Sequence, residues 1–141
     1  MAQNPIQINA LEQVVGLRFI DFDIVEYSTN VATGTNLAIW QAPFAGTIVQ
    51  DDANPDYFAA YTAGAGTTGT MVVDIHLNGT TIMTTNKLDI ETTEKDTTTA
   101  ATQPDLTTTS FSAGDLFTID VDAIHTTPAT GLKVRMAVRP D

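Results

Sequence analysis

Pairs of carboxylates are the most frequent arrangement in this sequence that could do acid–base chemistry. The pairs are Asp21 with Asp23, Asp51 with Asp52, and Asp120 with Asp122. A glycoside hydrolase needs two such groups facing each other across a bound sugar. Residues two apart on a β-strand instead lie side by side on one face. We therefore expect these carboxylates to line solvated surfaces rather than to form a catalytic centre.

Nucleophiles and the bases that would activate them are scarce. The histidines are His76 and His125, and the serines are Ser28, Ser110 and Ser112. No serine lies in a Gly-x-Ser-x-Gly sequence, and the absence of cysteine excludes thiol catalysis and cysteine-bound zinc. His76 alternates with predicted core residues, so we expect it to face solvent or a partner. The sequence thus indicates a protein that is not an enzyme.

The acidic turn 51–56 clusters oxygen atoms of the kind that calcium prefers. The turn lacks the central glycine and the terminal glutamate that the calcium-binding loop of an EF-hand carries. The glycine-containing segment 64–69 lacks the lysine of a phosphate-binding loop, and no helix is predicted after it. We expect neither a metal nor any other cofactor.

The charge of the chain is strongly acidic, with seventeen acidic and six basic residues and a formal net charge of −11. Such a field repels nucleic-acid phosphates and anionic lipid headgroups. No apolar stretch approaches the roughly 18 residues of a membrane span, and residues 1–16 lack the features of a signal peptide. We expect a soluble protein made in the cytoplasm, with neither nucleic acid nor membrane as a partner.

Short strands are the elements that would position these groups. About one residue in six is threonine, which is β-branched and favours strands. Runs of alternating apolar and polar residues recur between Gly, Asn, Asp and Pro, as in residues 18–27, 116–124 and 132–138. The sequence predicts an all-β fold, a jelly-roll or Greek-key β-sandwich of about eight strands.

A hairpin is predicted over residues 70–85, because Asn78 and Gly79 lie between two β-rich runs and Asn-Gly favours a type I′ turn. Such a turn pairs Leu77 with Thr80, His76 with Thr81, Ile75 with Ile82, and Val73 with Thr84. This register places the apolar residues on one face. They are Val73, Ile75, Leu77 and Ile82.

Three aromatic residues are candidates for contact with a partner. In the predicted strand 36–41, Leu37 and Ile39 share a face that we expect to be buried. In the predicted strand 57–62, Phe58 is expected to face the core. Aromatic residues on the opposite faces would be exposed, and Trp and Tyr are enriched at protein interfaces. They are Trp40, Tyr57 and Tyr61.

Residues 1–16 form an N-terminal arm in this interpretation, and residues 17–141 form the β-sandwich domain. The arm carries apolar residues without a clear period, which suits a segment that orders on a partner. A short edge strand or a helical turn is the alternative. The polar segment 91–105 is predicted to be an exposed loop or a further arm. The interface candidates in the N-terminal arm are Ile6, Ile8, Leu11 and Val14.

Several stretches together resemble a known class of proteins. They are residues 43–48, the hairpin run VVDIHLNGTTI of residues 72–82, and the run GDLFTIDVD of residues 114–122 with GLKV of residues 131–134. This pattern of turns and strands, over residues 18–138, is similar to small β-sandwich proteins of phage virions. In particular, it resembles the decoration or cement proteins of tailed-phage heads.

The resemblance implies a jelly-roll-like protomer, assembled as a homotrimer on the capsid exterior, that bridges neighbouring major capsid protein subunits. It implies a virion location and no active site. Head-fibre and tail-fibre tips share this kind of fold, but they generally carry a shaft or coiled coil that this sequence lacks. A receptor-binding or carbohydrate-binding tip of a head or tail fibre is the alternative, with aromatic residues stacking on sugar rings.

Overall fold

The computed structural model describes residues 16–141. In this part of the chain it contains one short 3-10 helix, Pro55–Tyr57, and ten β-strands. The strands are β1 (Arg18–Asn30), β2 (Gly34–Gln41), β3 (Gly46–Val49), β4 (Phe58–Gly64), β5 (Met71–Leu77), β6 (Thr80–Thr81), β7 (Leu88–Ile90), β8 (Ser110–Phe111), β9 (Leu116–Ala123) and β10 (Thr130–Pro140). The predicted arm lies outside the described residues, apart from Gly16. So do its interface candidates Ile6, Ile8, Leu11 and Val14.

The strands form two antiparallel sheets that pack face to face. In the first sheet β10 pairs with β1 along one edge and with β4 and β3 in succession along the other, and β8 pairs with β3. In the second sheet β9 lies between β2 and β5, and β6 and β7 share the far edge of β5. β3 with β4, and β6 with β7, can each be counted as one interrupted strand. The eight strands that result, renumbered 1 to 8 in chain order, are arranged 1-8-3-6 in the first sheet and 2-7-4-5 in the second. This is a jelly roll, so the predicted fold class is confirmed.

Apolar side chains from alternate strand positions fill the space between the sheets. The predicted inward faces of β1 and β9 are correct, since Phe22 and Phe117 are buried whereas Asp21 and Asp23 are exposed. Burying a side chain of this size contributes roughly 1.5–3 kcal/mol, so the core is the main source of stability. Other buried members of the core are Ile48, Phe58, Val73, Ile75, Ile119, Val134 and Met136.

The Asn-Gly hairpin forms at the predicted turn. Asn78 and Gly79 have φ values of 51° and 86°, as a type I′ turn requires. The backbone N–H of Ile82 donates to the carbonyl of Ile75 at 3.0 Å, as the predicted register implies. The two pairs nearest the turn are also confirmed, namely Leu77 with Thr80 and His76 with Thr81.

The register predicted farther from this turn is wrong. Val73 pairs with Leu88 of β7 and not with Thr84. The adjacent residues Ile82 and Met83 are both fully buried. Consecutive side chains of a strand point to opposite faces of its sheet, so the chain leaves the ladder to bury both. It rejoins the edge of β5 only at β7.

The predicted orientation of β2 is also wrong. Ile39 is 66% exposed and Leu37 is 39% exposed, whereas Trp40 is half-buried. Trp40 pairs with Phe117 of β9 and shares its inward face. Both faces of this strand carry large apolar residues, so alternation alone could not choose between them. The larger indole ring fills the space between the sheets, and the two aliphatic side chains lie outside.

Segment 91–105 contains no strand or helix and more than half of its residues are exposed, as predicted for a loop, but it packs against β4 instead of projecting as an arm. It lies along β4, where the backbone N–H of Thr62 donates to the carbonyl of Lys95 at 2.7 Å and that of Thr97 donates to the carbonyl of Ala60 at 3.1 Å. The N–H of Ala60 donates to the Thr97 hydroxyl at 3.2 Å. Thr97 is buried. The segment therefore satisfies backbone groups that an open strand edge would leave unpaired.

Candidate interaction surfaces

The outer face of the first sheet carries opposite charges in register across β1 and β10. Asp23 pairs with Lys133 and Asp21 pairs with Arg135. Lys133 Nζ lies 2.9 Å from Asp23 Oδ1, and Arg135 Nε lies 3.6 Å from Asp21 Oδ1. The hydrogen bond to Asp23 raises the pKa of Lys133. Because solvent screens exposed ion pairs, they order this surface more than they stabilise the fold.

Two of the three predicted interface aromatics lie on this same face. The guanidinium of Arg135 lies 5.0 Å from the ring centroid of Tyr61, whose hydroxyl is 3.5 Å from Asp21 Oδ1. Tyr57 belongs to the 3-10 helix rather than to a strand, and its ring meets that of Phe19 edge-on at 5.5 Å. A hollow of about 260 Å³, lined in part by Phe19, Tyr57 and Arg135, lies between the Phe19–Tyr57 pair and the Arg135–Tyr61 pair. We call Phe19, Tyr57, Tyr61 and Arg135 the aromatic face.

Trp40, the third predicted interface aromatic, lies apart from the other two. Its ring centroid is 5.5 Å from that of Phe117, 6.0 Å from that of Phe44 and 6.1 Å from that of Phe111. The indole therefore belongs to an aromatic cluster at the edge of the core. The structure brings Tyr57 and Tyr61 together on one surface and separates Trp40 from them.

A cleft of about 560 Å³ opens beside the aromatic face, where β1 departs from β10. The register between these strands is irregular after Asp23 and again after Val25. Gly131 faces this irregularity with φ 63°, and a Cβ there would lie 3.0 Å from the carbonyl oxygen of Tyr27. The close approach of the two backbones thus requires glycine. Side chains that line the cleft include those of Asp23, Tyr27, Tyr61 and Lys133.

The outer face of the second sheet carries a buried polar network. Asp74 of β5 and Asp120 of β9 pair directly across the strands and are only 1% and 6% exposed. Asp74 Oδ2 lies 2.8 Å from Lys87 Nζ and 3.0 Å from His76 Nε2. Its other oxygen accepts the hydroxyl hydrogen of Thr81 at 2.6 Å. Both oxygens of this buried carboxylate therefore have partners, as burial of a charge requires.

The network extends to the edge of the sheet. His76 Nδ1 lies 3.7 Å from Asp120 Oδ2, so the imidazole stands between two carboxylates. Asp120 Oδ1 accepts the backbone N–H of Asn36 at 2.8 Å. Asn36 has φ 52°, a conformation that asparagine tolerates better than most residues. The polar network thereby joins β2, β5 and β9 on the side of the sheet away from the core.

The expectation that both Asp120 and Asp122 are solvated is wrong for Asp120, because the network buries it. Lys87 Nζ also lies 3.0 Å from Asp122 Oδ2. The pKa of Lys87 is raised, mainly because its ammonium group donates a hydrogen bond to Asp74. The sequence placed Asp74 and Asp120 at non-core positions of two predicted strands, but it did not indicate that these strands are neighbours. Lys87 belongs to the segment between β6 and β7, where the chain leaves the hairpin ladder. The sequence did not predict that this lysine would contact Asp74.

In the acidic turn, the carboxylate of Asp51 is hydrogen-bonded to groups of the turn itself. Asp51 Oδ1 accepts the backbone N–H of Ala53 at 2.9 Å, and Oδ2 accepts the side-chain amide of Asn54 at 3.0 Å. The bonds from Asn54 and Ala53 lower the pKa of Asp51. Among residues 16–141, no group of three or more His, Asp or Glu side chains is arranged to hold a metal ion. Within the same range, no helix has the length and apolar character needed to cross a membrane.

Comparison with known proteins identifies no relative. No protein-family model, no curated protein and no solved structure matches this chain. Function must therefore be inferred from the residues and surfaces of this molecule.

Proposed function

We propose that this protein decorates the exterior of a phage capsid as a homotrimer, bridges neighbouring major capsid protein subunits and has no catalytic role. The observation that carries the proposal is the aromatic face, which gathers Tyr57, Tyr61, Phe19 and Arg135 on the outside of a sheet. Tyrosine and arginine are enriched among the residues that supply most of the binding energy at protein interfaces. The jelly-roll fold agrees with the resemblance to decoration proteins, although a fold by itself does not specify function.

The side chains of the aromatic face are held in place before any partner binds. Arg135 is fixed between the ring of Tyr61 and the carboxylate of Asp21. The rings of Phe19 and Tyr57 support each other. Ordering flexible side chains is one of the costs of association, so a surface that is already ordered binds more tightly for the same contacts.

The mechanism that follows is mechanical. A capsid fails where its subunits separate, and a protein that binds only the closed arrangement stabilises that arrangement by mass action. Three linked protomers that engage neighbouring subunits gain further affinity through effective concentration. The net charge of −11 on each chain keeps unbound trimers apart and in solution until they bind.

The test is co-sedimentation with capsids assembled from the major capsid protein encoded in the same genome and lacking this protein. We expect the wild-type chain to sediment with these capsids. Replacing Tyr61 or Tyr57 by alanine should weaken binding by at least about tenfold, because each removes a central aromatic contact. Absence of wild-type binding would refute the proposal.

Tyr27→Ala is the matched control, since Tyr27 is 82% exposed and lies outside the aromatic face. It should bind capsids like the wild type, and circular dichroism should show that all three variants are folded. Loss of binding in Tyr27→Ala alone would exclude the aromatic face as the contact. Deleting residues 2–16 tests the predicted arm, and unchanged affinity would remove the arm from the interface.

A receptor-binding or carbohydrate-binding tip is the second candidate function, and the cleft beside β1 favours it. Tyr27 and Tyr61 could stack against sugar rings there, and Asp23 and Lys133 could bond to sugar hydroxyls. A glycan array probed with the wild type and with Tyr27→Ala distinguishes the two functions. Glycan binding that Tyr27→Ala abolishes, together with no capsid binding, would replace decoration by this function.

A further inference from the structure

Asn78 and Gly79 form the turn between β5 and β6, and no other asparagine of the sequence precedes a glycine. In such a pair, the backbone nitrogen of the second residue can attack the side-chain carbonyl carbon of the asparagine. Glycine hinders this attack least, because it has no Cβ. Both residues are exposed, and a Cβ placed on Gly79 would have nothing within 4 Å. The turn thus combines the sequence most prone to deamidation with access of water.

Deamidation at this turn needs no reactant other than water. The Gly79 nitrogen gives up its proton to a base and forms a bond to Cγ of Asn78. The bond from Cγ to the side-chain nitrogen then breaks, and that nitrogen leaves as ammonia after taking a proton from water. Water opens the resulting cyclic imide at either carbonyl, which gives aspartate or isoaspartate. The net change replaces the amide by a carboxylate and adds a negative charge.

The fold holds both polar atoms of the Asn78 amide. Nδ2 donates to Asp115 Oδ1 at 3.0 Å, and Oδ1 accepts the backbone N–H of Leu116 at 2.9 Å. We call these two hydrogen bonds the amide clamp. The bonds that Asp115 accepts from the backbone of Ser112 and from Asn78 lower its pKa, so its carboxylate is ionised at neutral pH. The clamp joins the β5–β6 turn to the turn before β9.

We propose that Asn78 is a deamidation site and that the amide clamp sets the rate of the reaction. The imide ring can close only when the side chain turns towards the Gly79 nitrogen, so the amide must first leave the clamp. A hydrogen bond to a charged group is stronger than one between neutral groups, so Asp115 is the main restraint. Unfolding, or loosening of this end of the second sheet, would therefore start the reaction.

Deamidation would in turn prevent the clamp from forming again. An ionised aspartate at position 78 has no N–H to donate, and it places a second carboxylate beside Asp115. The turn itself tolerates the change, because Asp-Gly also favours type I′. The loss therefore falls on the contact between the two turns. This inference does not rest on the proposed function, since the aromatic face lies on the first sheet.

The first test compares the folded full chain with the same chain unfolded in urea, both at mildly alkaline pH. Peptide mapping by mass spectrometry measures the conversion of Asn78 over time. The folded chain should react at least about tenfold more slowly, because the bonds of the clamp must first be broken. Equal rates in the two states, or an Asn78 that stays intact in the unfolded chain, would overturn the inference.

The second test removes the main restraint. In the folded state, Asp115→Ala should speed the conversion of Asn78 by about tenfold. Asp51→Ala is the matched control, because Asp51 also accepts an asparagine amide and a backbone N–H within a turn. It should leave the rate at Asn78 unchanged. Circular dichroism and thermal unfolding would show that both variants are folded, and a rate in Asp115→Ala no higher than in the control would contradict the role of the clamp.

The third test uses Asn78→Asp as a copy of the aspartate product. This variant should melt at a lower temperature than the wild type at neutral pH, because the clamp is lost and a like charge faces Asp115. Asn30→Asp adds the same charge at an exposed position of β1 and should change the melting temperature less. Equal melting temperatures for the two variants would show that deamidation does not break a contact of the fold.

Discussion

Asp74 is almost fully buried on a face of the second sheet that strand alternation assigns to solvent. Its carboxylate is surrounded by Lys87, His76 and Thr81. A buried charge is tolerated when it is paired and hydrogen-bonded, and removing one member leaves the others uncompensated. At the scale of single residues, this carboxylate is therefore a polar group whose loss should destabilise the fold.

Asp74→Ala should lower the free energy of unfolding by roughly 1–3 kcal/mol, because it removes the buried acceptor that Lys87, His76 and Thr81 share. Lys87 keeps its contact with Asp122, and the Thr81 hydroxyl keeps its bond to the carbonyl of Met83. Urea unfolding followed by fluorescence measures the change. Asp21→Ala is the comparison, since it removes an exposed carboxylate beside Arg135 and should cost no more than about 1 kcal/mol. Equal effects of the two substitutions would contradict the view that burial makes the network important.

Asp89 gives a pH dependence of defined sign. Burial, and then repulsion from Glu91, raises the pKa of Asp89 above 3.8. The folded state thus holds this proton more tightly than the unfolded state does, and ionisation at neutral pH disfavours folding. Asp89→Asn should therefore stabilise the protein at neutral pH. The gain should shrink as pH falls through the folded pKa and vanish below 3.8, as urea unfolding of both proteins across this range would show.

Asp51 provides the opposite case for the same measurement. The hydrogen bonds from Asn54 and Ala53 lower the pKa of Asp51, so its ionised form favours the folded state. That contribution is present above 3.8 and is lost as pH falls through the folded pKa. Asp51→Asn should destabilise the protein at neutral pH. Stabilisation by both substitutions would contradict this account.

Among the elements, segment 91–105 plays a larger part than its composition suggests. Its backbone pairs with β4, which lies against β10 in the centre of the first sheet. Thr97 contributes twice, because its N–H donates to the carbonyl of Ala60 and its hydroxyl accepts from the N–H of Ala60. The segment thereby acts as an irregular outer strand that closes the edge of β4.

Thr97→Val keeps the shape of the side chain but removes the acceptor for the Ala60 N–H. A buried donor left without a partner costs roughly 1–3 kcal/mol, which thermal or urea unfolding would detect. Thr99→Val makes the same chemical change at an exposed position of the same segment and should be nearly neutral. If Thr97→Val were equally neutral, the bond to Ala60 would not hold the segment in place.

The whole molecule is governed by an excess of eleven negative charges on a small jelly roll. Self-repulsion of this size opposes the compact state. Salt screens exposed charges beyond about 10 Å at 0.1 M, but it screens buried pairs such as Asp74 with Lys87 much less. Screening should therefore relieve the repulsion while leaving the polar network intact.

Raising the sodium chloride concentration from about 20 mM to about 300 mM should raise the melting temperature by a few degrees, because the Debye length shortens. Differential scanning calorimetry at fixed, low protein concentration measures this without a change in self-association. A melting temperature that falls with salt would mean that exposed ion pairs, such as Lys133 with Asp23, outweigh the general repulsion.

The sequence by itself determined the class of fold and the inward faces of the clearest strands. Alternation in β1 and β9 predicted the burial of Phe22 and Phe117, and Asn78 with Gly79 predicted the turn between β5 and β6. These features are set by neighbours in the chain, through side-chain periodicity and the φ preferences of turn residues. These features could therefore be predicted from the sequence without knowledge of the residues that pack against them.

Only the tertiary structure decided which face of β2 is inside, where the hairpin ladder breaks, and which acids are buried. Ile39 and Trp40 are both apolar, so the choice between them depends on the space beside Phe117 in another strand. Asp74 becomes buried because β9 brings Asp120 opposite it and a distant segment delivers Lys87. Contacts between residues far apart in the chain control these outcomes, and local pattern carries no information about them.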